Sequence, residues 1–407
     1  MKENVKLNSK QQKIALFCAC LAGFAFSANY TNHAPLKEWL MKSFDTPEFP
    51  LTKTMFGFLT TAIFLTHALM QIPGGHLADK FGPKKVLCFA LTIVCIGNFG
   101  ISFSESYNQL LFWKFFIGFG TGVSFVSGAR YIYQSIPLEK LFIYQGYYGA
   151  SVLLGSGFVI FAVPQIARIF DSWSPAFIST SAVAFITLLT VFVFAPKPHA
   201  KDHPHSSLLT MLSNGQLYLL GLVQMASFGL VIVIGSWITE MLKENFEFEN
   251  KLIIPFIASL VLLLGIFTRP WGGKLVSQIG VRKLLIISLL LNATGCFILA
   301  YFTPFLYIDI IAIVLLGIGC GLPYAGLFNR AAALFPGRAG AAMGLVNMLG
   351  IVFILAAAPL VGKIADWAGN FSSAFISLGI FALIIGVISL KINNEHLQKQ
   401  HKNPFKL

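Results

Sequence analysis

The sequence predicts an all-α membrane protein of twelve transmembrane helices in two six-helix pseudo-symmetric bundles. Three observations carry this: the length and spacing of the apolar runs, the alternation of charge between the segments that join them, and a loop sentence that is written twice.

Of the 407 residues, 56% are hydrophobic and 11% charged, and the mean hydropathy of +0.75 lies far above that of soluble domains. Read with a window of about 20 residues, apolar runs fall at 14–34, 54–73, 86–103, 110–134, 142–164, 175–195, 216–239, 252–271, 284–303, 306–331, 340–361 and 373–391. Lipid offers no partner to a free backbone group, so each run should be a helix. The polar-apolar alternation of a membrane-spanning barrel is absent. The first run is too long, and its flanks too polar, for a cleaved signal segment, so it is expected to stay in the mature protein.

The net charge of +13 does not gather on one soluble element, as a nucleic-acid surface would require. Basic residues concentrate in alternate loops: Lys10 and Lys13 before the first run, Lys80, Lys84 and Lys85 after the second, Lys197 and Lys201 after the sixth, Arg282 and Lys283 after the eighth. The opposite loops carry Glu38, Asp45, Glu105, Asp171 and Glu240. The positive-inside rule then puts both termini in the cytoplasm, and no nucleic-acid partner is expected.

Gly75-His-Leu-Ala-Asp79-Lys-Phe-Gly82-Pro-Lys84-Lys85 returns 198 residues later as Gly273-Lys-Leu-Val-Ser277-Gln-Ile-Gly280-Val-Arg282-Lys283. Other markers share nearly the same offset. Gly118-x-Gly120-x-Gly122 matches Gly317-x-Gly319-x-Gly321, Arg130 matches Arg330, and Ala176-Phe-Ile-Ser179 matches Ala374-Phe-Ile-Ser377. The expected organisation is an N-terminal bundle over 1–196, a polar connector over 197–213 and a C-terminal bundle over 214–407.

On these motifs the chain resembles the major facilitator superfamily along essentially its whole length. The loop signature Gly-x3-Asp-x2-Gly-x-basic-basic is satisfied in full by Gly75, Asp79, Gly82, Lys84 and Lys85; the second copy has Ser277 where the acid belongs. Lys114-Phe-Phe-Ile-Gly118-Phe-Gly120 matches the family's fourth-span element with Lys in place of Arg. The resemblance implies the major facilitator fold, a secondary active transporter, and a substrate site near the midplane between the halves. Asn29-Tyr-Thr-Asn-His-Ala-Pro35 and Thr268-Arg-Pro-Trp-Gly-Gly273 are similar to the nitrate/nitrite porters and anion:cation symporters. Nitrate porters carry an arginine in the second span, and Leu51 to Gln71 has none, which points away from nitrate itself. The fifth span lacks the Gly-Pro-x-x-Gly-Gly pattern of drug/proton antiporters.

Polar side chains in spans are expensive and mark candidate sites. Substrate-binding candidates are Asn29, Tyr30, His33, Lys114, Tyr147, Gln224, Tyr324 and Asn347. No acidic residue lies mid-span, so if protons drive transport the carriers should be His33 or His67. Lys114 either faces a cavity or snorkels to the outer interface. Gating falls to Gly75, Asp79, Gly82, Lys84, Lys85, Arg130, Arg269, Gly273, Arg282 and Arg330, with Asp79 facing a helix N-terminus of the other half and the arginines bracing the gate through Asp79 or Glu139.

The embedded charges are all cationic, which favours an anionic or zwitterionic solute taken up by proton symport or exchanged across a bacterial inner membrane, by a monomer in the bilayer. Export of drugs or siderophores is the alternative, and a non-transporting solute sensor a second. HExxH, a phosphate-binding loop, GxSxG and cysteine clusters are absent from the sequence, so neither an enzyme nor a metal or cofactor site is expected.

Overall fold

A computed structural model describes residues 7–47, 50–198, 207–246, 253–301 and 305–393; part of the connector, 199–206, lies outside the described residues. Helices follow one another as α1 (Ser9–Thr31), α2 (Lys37–Phe44), α3 (Lys53–Leu69), α4 (Gln71–Phe81), α5 (Pro83–Ile101), α6 (Tyr107–Ser135), α7 (Leu138–Phe170), α8 (Ser174–Phe194) and the short α9 (Leu208–Leu212). Then come α10 (Gly215–Gln224), α11 (Leu230–Asn245), α12 (Ile253–Ile279), α13 (Val281–Ala300), α14 (Leu306–Gly321), α15 (Tyr324–Leu334), α16 (Ala339–Ala368) and α17 (Ser372–Ile388). Eleven helical stretches are long and apolar enough to cross a membrane, and α3 with α4, bent by 43°, makes the twelfth. Pro73 in the first turn of α4 lacks the N–H that would continue the helix, which accounts for the bend.

Two expectations about local structure need correction. The loop signature is mostly helix: Gly75 and Asp79 sit on α4, and the turn itself is Gly82, at φ 89°. The first span does not stop at residue 34; after a 3-10 turn at Ala34–Leu36 the chain resumes as α2, whose Leu40 and Phe44 are buried.

By its internal contacts the chain forms two units. The first comprises Met1–Leu138, Ser151–His205 and Gly337–Gly344. Its axis is α6, on which alternate glycines serve different neighbours: a Cβ on Gly118 or Gly122 would run into α3 at Ile63, Thr66 and His67, and one on Gly120 into α5 at Ala90 and Val94. One end is filled by a cluster containing Leu36, Leu40, Leu59, Ile63, Leu110, Ile117 and Phe177. The other is tied by Lys84, whose Nζ donates to the Ala195 carbonyl at 2.6 Å, a cation on the C-terminal end of α8.

The second unit comprises Glu139–Ala150, Ser206–Pro336 and Leu345–Leu407. Gly317 and Gly321 on α14 abut α12 at Leu264 and Thr268, and Gly319 abuts α13 at Ser288 and Asn292. Gly280 turns the chain at φ 83°, and Arg282 Nη1 reaches the Leu390 carbonyl at 3.5 Å. Between α10 and α11 the helix widens to a π turn at Met225–Gly229, where the Ser227 hydroxyl donates to the Val223 carbonyl at 2.6 Å. Leu230, Ile234, Leu316, Phe375 and their neighbours fill its core.

Candidate functional site

In the first unit, α4 brings Asp79 against the first turn of α16. One carboxylate oxygen accepts from Gly340 N–H at 2.9 Å, the other from Ala341 N–H at 3.1 Å, and Arg130 Nε on α6 makes an ion pair at 2.9 Å. Close approach is possible because Gly75 and Gly340 lack Cβ atoms; one added to Gly75 would meet the Gly340 backbone. Arg338, just ahead of α16, places Nη1 3.0 Å from Nδ1 of His76.

Deeper in the same unit lies Lys114, 0% exposed. Its Nζ donates to Asn32 Oδ1 at 2.7 Å and lies 5.2 Å from the Phe177 ring centre. The Asn32 amide in turn donates to Asn98 Oδ1 and Thr180 Oγ1, both at 2.8 Å. The side chain therefore does not snorkel; it is locked inside its own bundle. Asn29 is also engaged, giving its amide to the carbonyls of Ala25 and Thr180. His33 Nε2 is 2.9 Å from Thr60 Oγ1. His67 Nδ1 is 3.0 Å from Thr121 Oγ1, within a cage of Tyr30, Phe64 and Phe125 rings. The Tyr30 hydroxyl is 3.2 Å from that of Ser156.

In the second unit Arg269 on α12 is buried. Nη1 donates to the Gly149 carbonyl at 2.5 Å, while the guanidinium lies over Tyr324 at 4.3 Å and near Phe228 at 5.7 Å. Its Nε has no hydrogen-bond partner among the described residues. Gln224 donates to Asn347 Oδ1 at 3.3 Å, and Asn292 donates to the Ala226 carbonyl at 3.0 Å. Tyr147 is 46% exposed and touches Tyr144. Arg330 on α15 is buried, with all three guanidinium nitrogens unpartnered among the described residues.

The arginines thus divide. Arg130 meets Asp79, whereas Arg269 and Arg330 pair with neither Asp79 nor Glu139. Sequence reasoning missed Asn98 and Thr180, which complete the Lys114 network, Phe228 beneath Arg269, and the His76–Arg338 contact. Asn98 and Thr180 fall in runs read only for hydropathy, and nothing in their spacing singles them out.

The sequence profile of the Major Facilitator Superfamily matches residues 18–305 and 220–406. A probable nitrate transporter, NarT, of Staphylococcus haemolyticus is 25% identical over 319 residues, 78% of this chain and 82% of the relative. The nitrite extrusion protein of Bacillus subtilis is 24% identical over 362 residues, 88% and 89% of the two chains. Among solved structures, the proton:xylose symporter XylE bound to 6-bromo-6-deoxy-D-glucose superposes with a TM-score of 0.82 at 16% identity, covering 97% of this chain and 99% of that one. The human organic anion transporter MFSD10 gives 0.76 at 17% identity, covering 93% and 99%. At such identities the superpositions bear on the fold.

Proposed function

The chain belongs to the Major Facilitator Superfamily, and from that premise we propose that it moves a small planar oxyanion, such as nitrite or a short carboxylate, by secondary active transport. Membership makes it a multi-pass membrane transporter rather than an enzyme. The anionic substrate is supported by one imbalance. Of the buried cations Lys114, Arg130, Arg269 and Arg330, Arg130 alone has a carboxylate at ion-pair distance among the described residues. Unpaired buried cations are costly and are retained where they meet a ligand.

Arg269 is the group we assign to that ligand. Tyr324 and Phe228 pack on its guanidinium, and Gly149 takes one of its donors, which leaves Nε without an acceptor among the described residues and available to an oxyanion. Gln224 and Asn347 supply neutral hydrogen-bonding groups in the same unit. Relatives named for nitrate and nitrite agree with a substrate of this size and charge. Lys114, enclosed in its network, is left out of the contact set.

We further infer proton-coupled import or exchange, with His33 or His67 as the carrier, by a monomer in the inner membrane with both termini cytoplasmic. The alternating loop charge and the lack of a mid-span carboxylate support this. The test is uptake into proteoliposomes of nitrate, nitrite, formate and lactate under an imposed pH gradient. Arg269→Gln should cut anion uptake at least tenfold and Arg269→Lys less. Uptake unchanged in Arg269→Gln, or none of these anions moved by the wild type, overturns the assignment.

A further inference from the structure

We propose that Arg330, Asn329 and Gln145 form a second anion site, in the second unit, at the position that the Asp79 carboxylate fills in the first, and that its ligand is a small soluble oxyanion such as phosphate or sulfate.

The internal repeat shows what is missing. Arg130 and Arg330 hold equivalent places in the two halves, as do Asp79 and Ser277. In the first half the guanidinium meets its carboxylate. In the second, the Ser277 hydroxyl is exposed and donates to the Lys274 carbonyl on its own helix at 2.6 Å. The surrounding packing is nevertheless repeated. A Cβ on Gly75 would strike the start of α16 at Gly340 and Ala341; one on Gly273 would strike α7 at Phe142 and Ile143. A Cβ added to Gly326, one helical turn before Arg330, would lie 3.4 Å from Val276, next to Ser277. Residues four apart share a helix face, so Arg330 lies along the face of α15 that meets this end of α12.

All three side chains are buried and unsatisfied among the described residues. Arg330 is 1% exposed, yet Nε, Nη1 and Nη2 have no partner among the described residues. Both amide atoms of Asn329 and both of Gln145 share that condition. Gln145 lies one turn before Gly149, where an added Cβ would run into the Tyr324 ring, and so on the face of α7 turned toward α15. Buried polar groups are almost always paired. Water can satisfy two amides, but it does not neutralise a guanidinium held away from solvent. A guanidinium and two carboxamides acting together would offer forked N–H donors and further amide N–H groups, the donor set of an oxyanion site. Because Arg330 is enclosed rather than at the lipid-facing surface, a soluble ion is the ligand we assign rather than a phospholipid headgroup. The proposal is independent of what Arg269 binds.

Thermal melting of the delipidated, detergent-purified full-length protein, titrated with inorganic phosphate or sulfate at constant ionic strength, tests it. Expected is a saturable rise in Tm for the wild type that Arg269→Gln keeps and Arg330→Gln loses. Ser277→Asp supplies the carboxylate from within; it should melt higher than the wild type without phosphate and lose the phosphate-dependent rise, which keeps the test decisive if Arg330→Gln fails to fold. A full rise in Ser277→Asp, its loss in Arg269→Gln, or no rise with either ion overturns the site. Short-chain phosphatidylglycerol raising Tm where phosphate does not overturns the soluble ligand.

Discussion

Nη1 of Arg338 lies 3.0 Å from Nδ1 of His76. A guanidinium only donates, so the imidazole nitrogen accepts. His76 stands one turn from Asp79 on α4, and Arg338 stands just ahead of the α16 amides that Asp79 accepts.

His76→Leu removes that acceptor while keeping the volume, so it should weaken the Asp79 node: hydrogen exchange at Gly340 and Ala341 is expected to be faster in the variant than in the wild type, and equal rates would contradict the coupling.

Asp79→Asn should destabilise the first unit by about 3–5 kcal/mol, the usual result of removing one partner from a buried ion pair. Insertion should be unaffected, because the apolar spans are unchanged, while transport falls. Adding Arg130→Met should recover part of the loss by removing the stranded cation. A double variant no more stable than Asp79→Asn would place the effect elsewhere.

Lys114→Met should lower stability by roughly 1–3 kcal/mol, since Asn32 Oδ1 loses its donor while the volume is kept. Anion affinity should stay within about twofold, because Lys114 is enclosed in its own bundle. Melting and uptake kinetics on the same preparation separate the two; a large rise in KM would return Lys114 to the substrate.

Gly75→Ala should cost about 1–3 kcal/mol by driving a methyl group into the backbone of Gly340. Gly82→Ala should cost roughly 1–2 kcal/mol for a different reason, its φ of 89°. Gly57→Ala, with open space around its Cβ, is the control expected to melt like the wild type.

The bundle architecture was legible because lipid imposes it: a run of some 20 apolar residues has few options but a helix, and a repeated loop sentence shows how the runs group. The electrostatics of Asp79 were legible too, since a carboxylate that follows two close-packing glycines has a helix end within reach. What escaped was whatever depends on rotation about a helix axis. Lys114 is equally compatible with a cavity and with snorkelling until Asn32, Asn98 and Thr180 are brought around it from three other helices. Arg269 and Arg330 look alike as embedded arginines; only tertiary packing sets one against Tyr324 and leaves the other with no acceptor among the described residues. The His76–Arg338 contact joins residues 262 apart in sequence, beyond any local pattern.

That span has a consequence for synthesis. Arg130 emerges soon after Asp79, but the Gly340 and Ala341 amides come 261 and 262 residues later. A ribosome adding on the order of 5–20 residues per second leaves the carboxylate short of two donors for about 13–50 seconds. During that interval the Asp79 carboxylate has no α16 amides to accept from. Separately expressed halves should each carry one unmatched terminus of the same bond set, and co-expression is the condition under which both are completed.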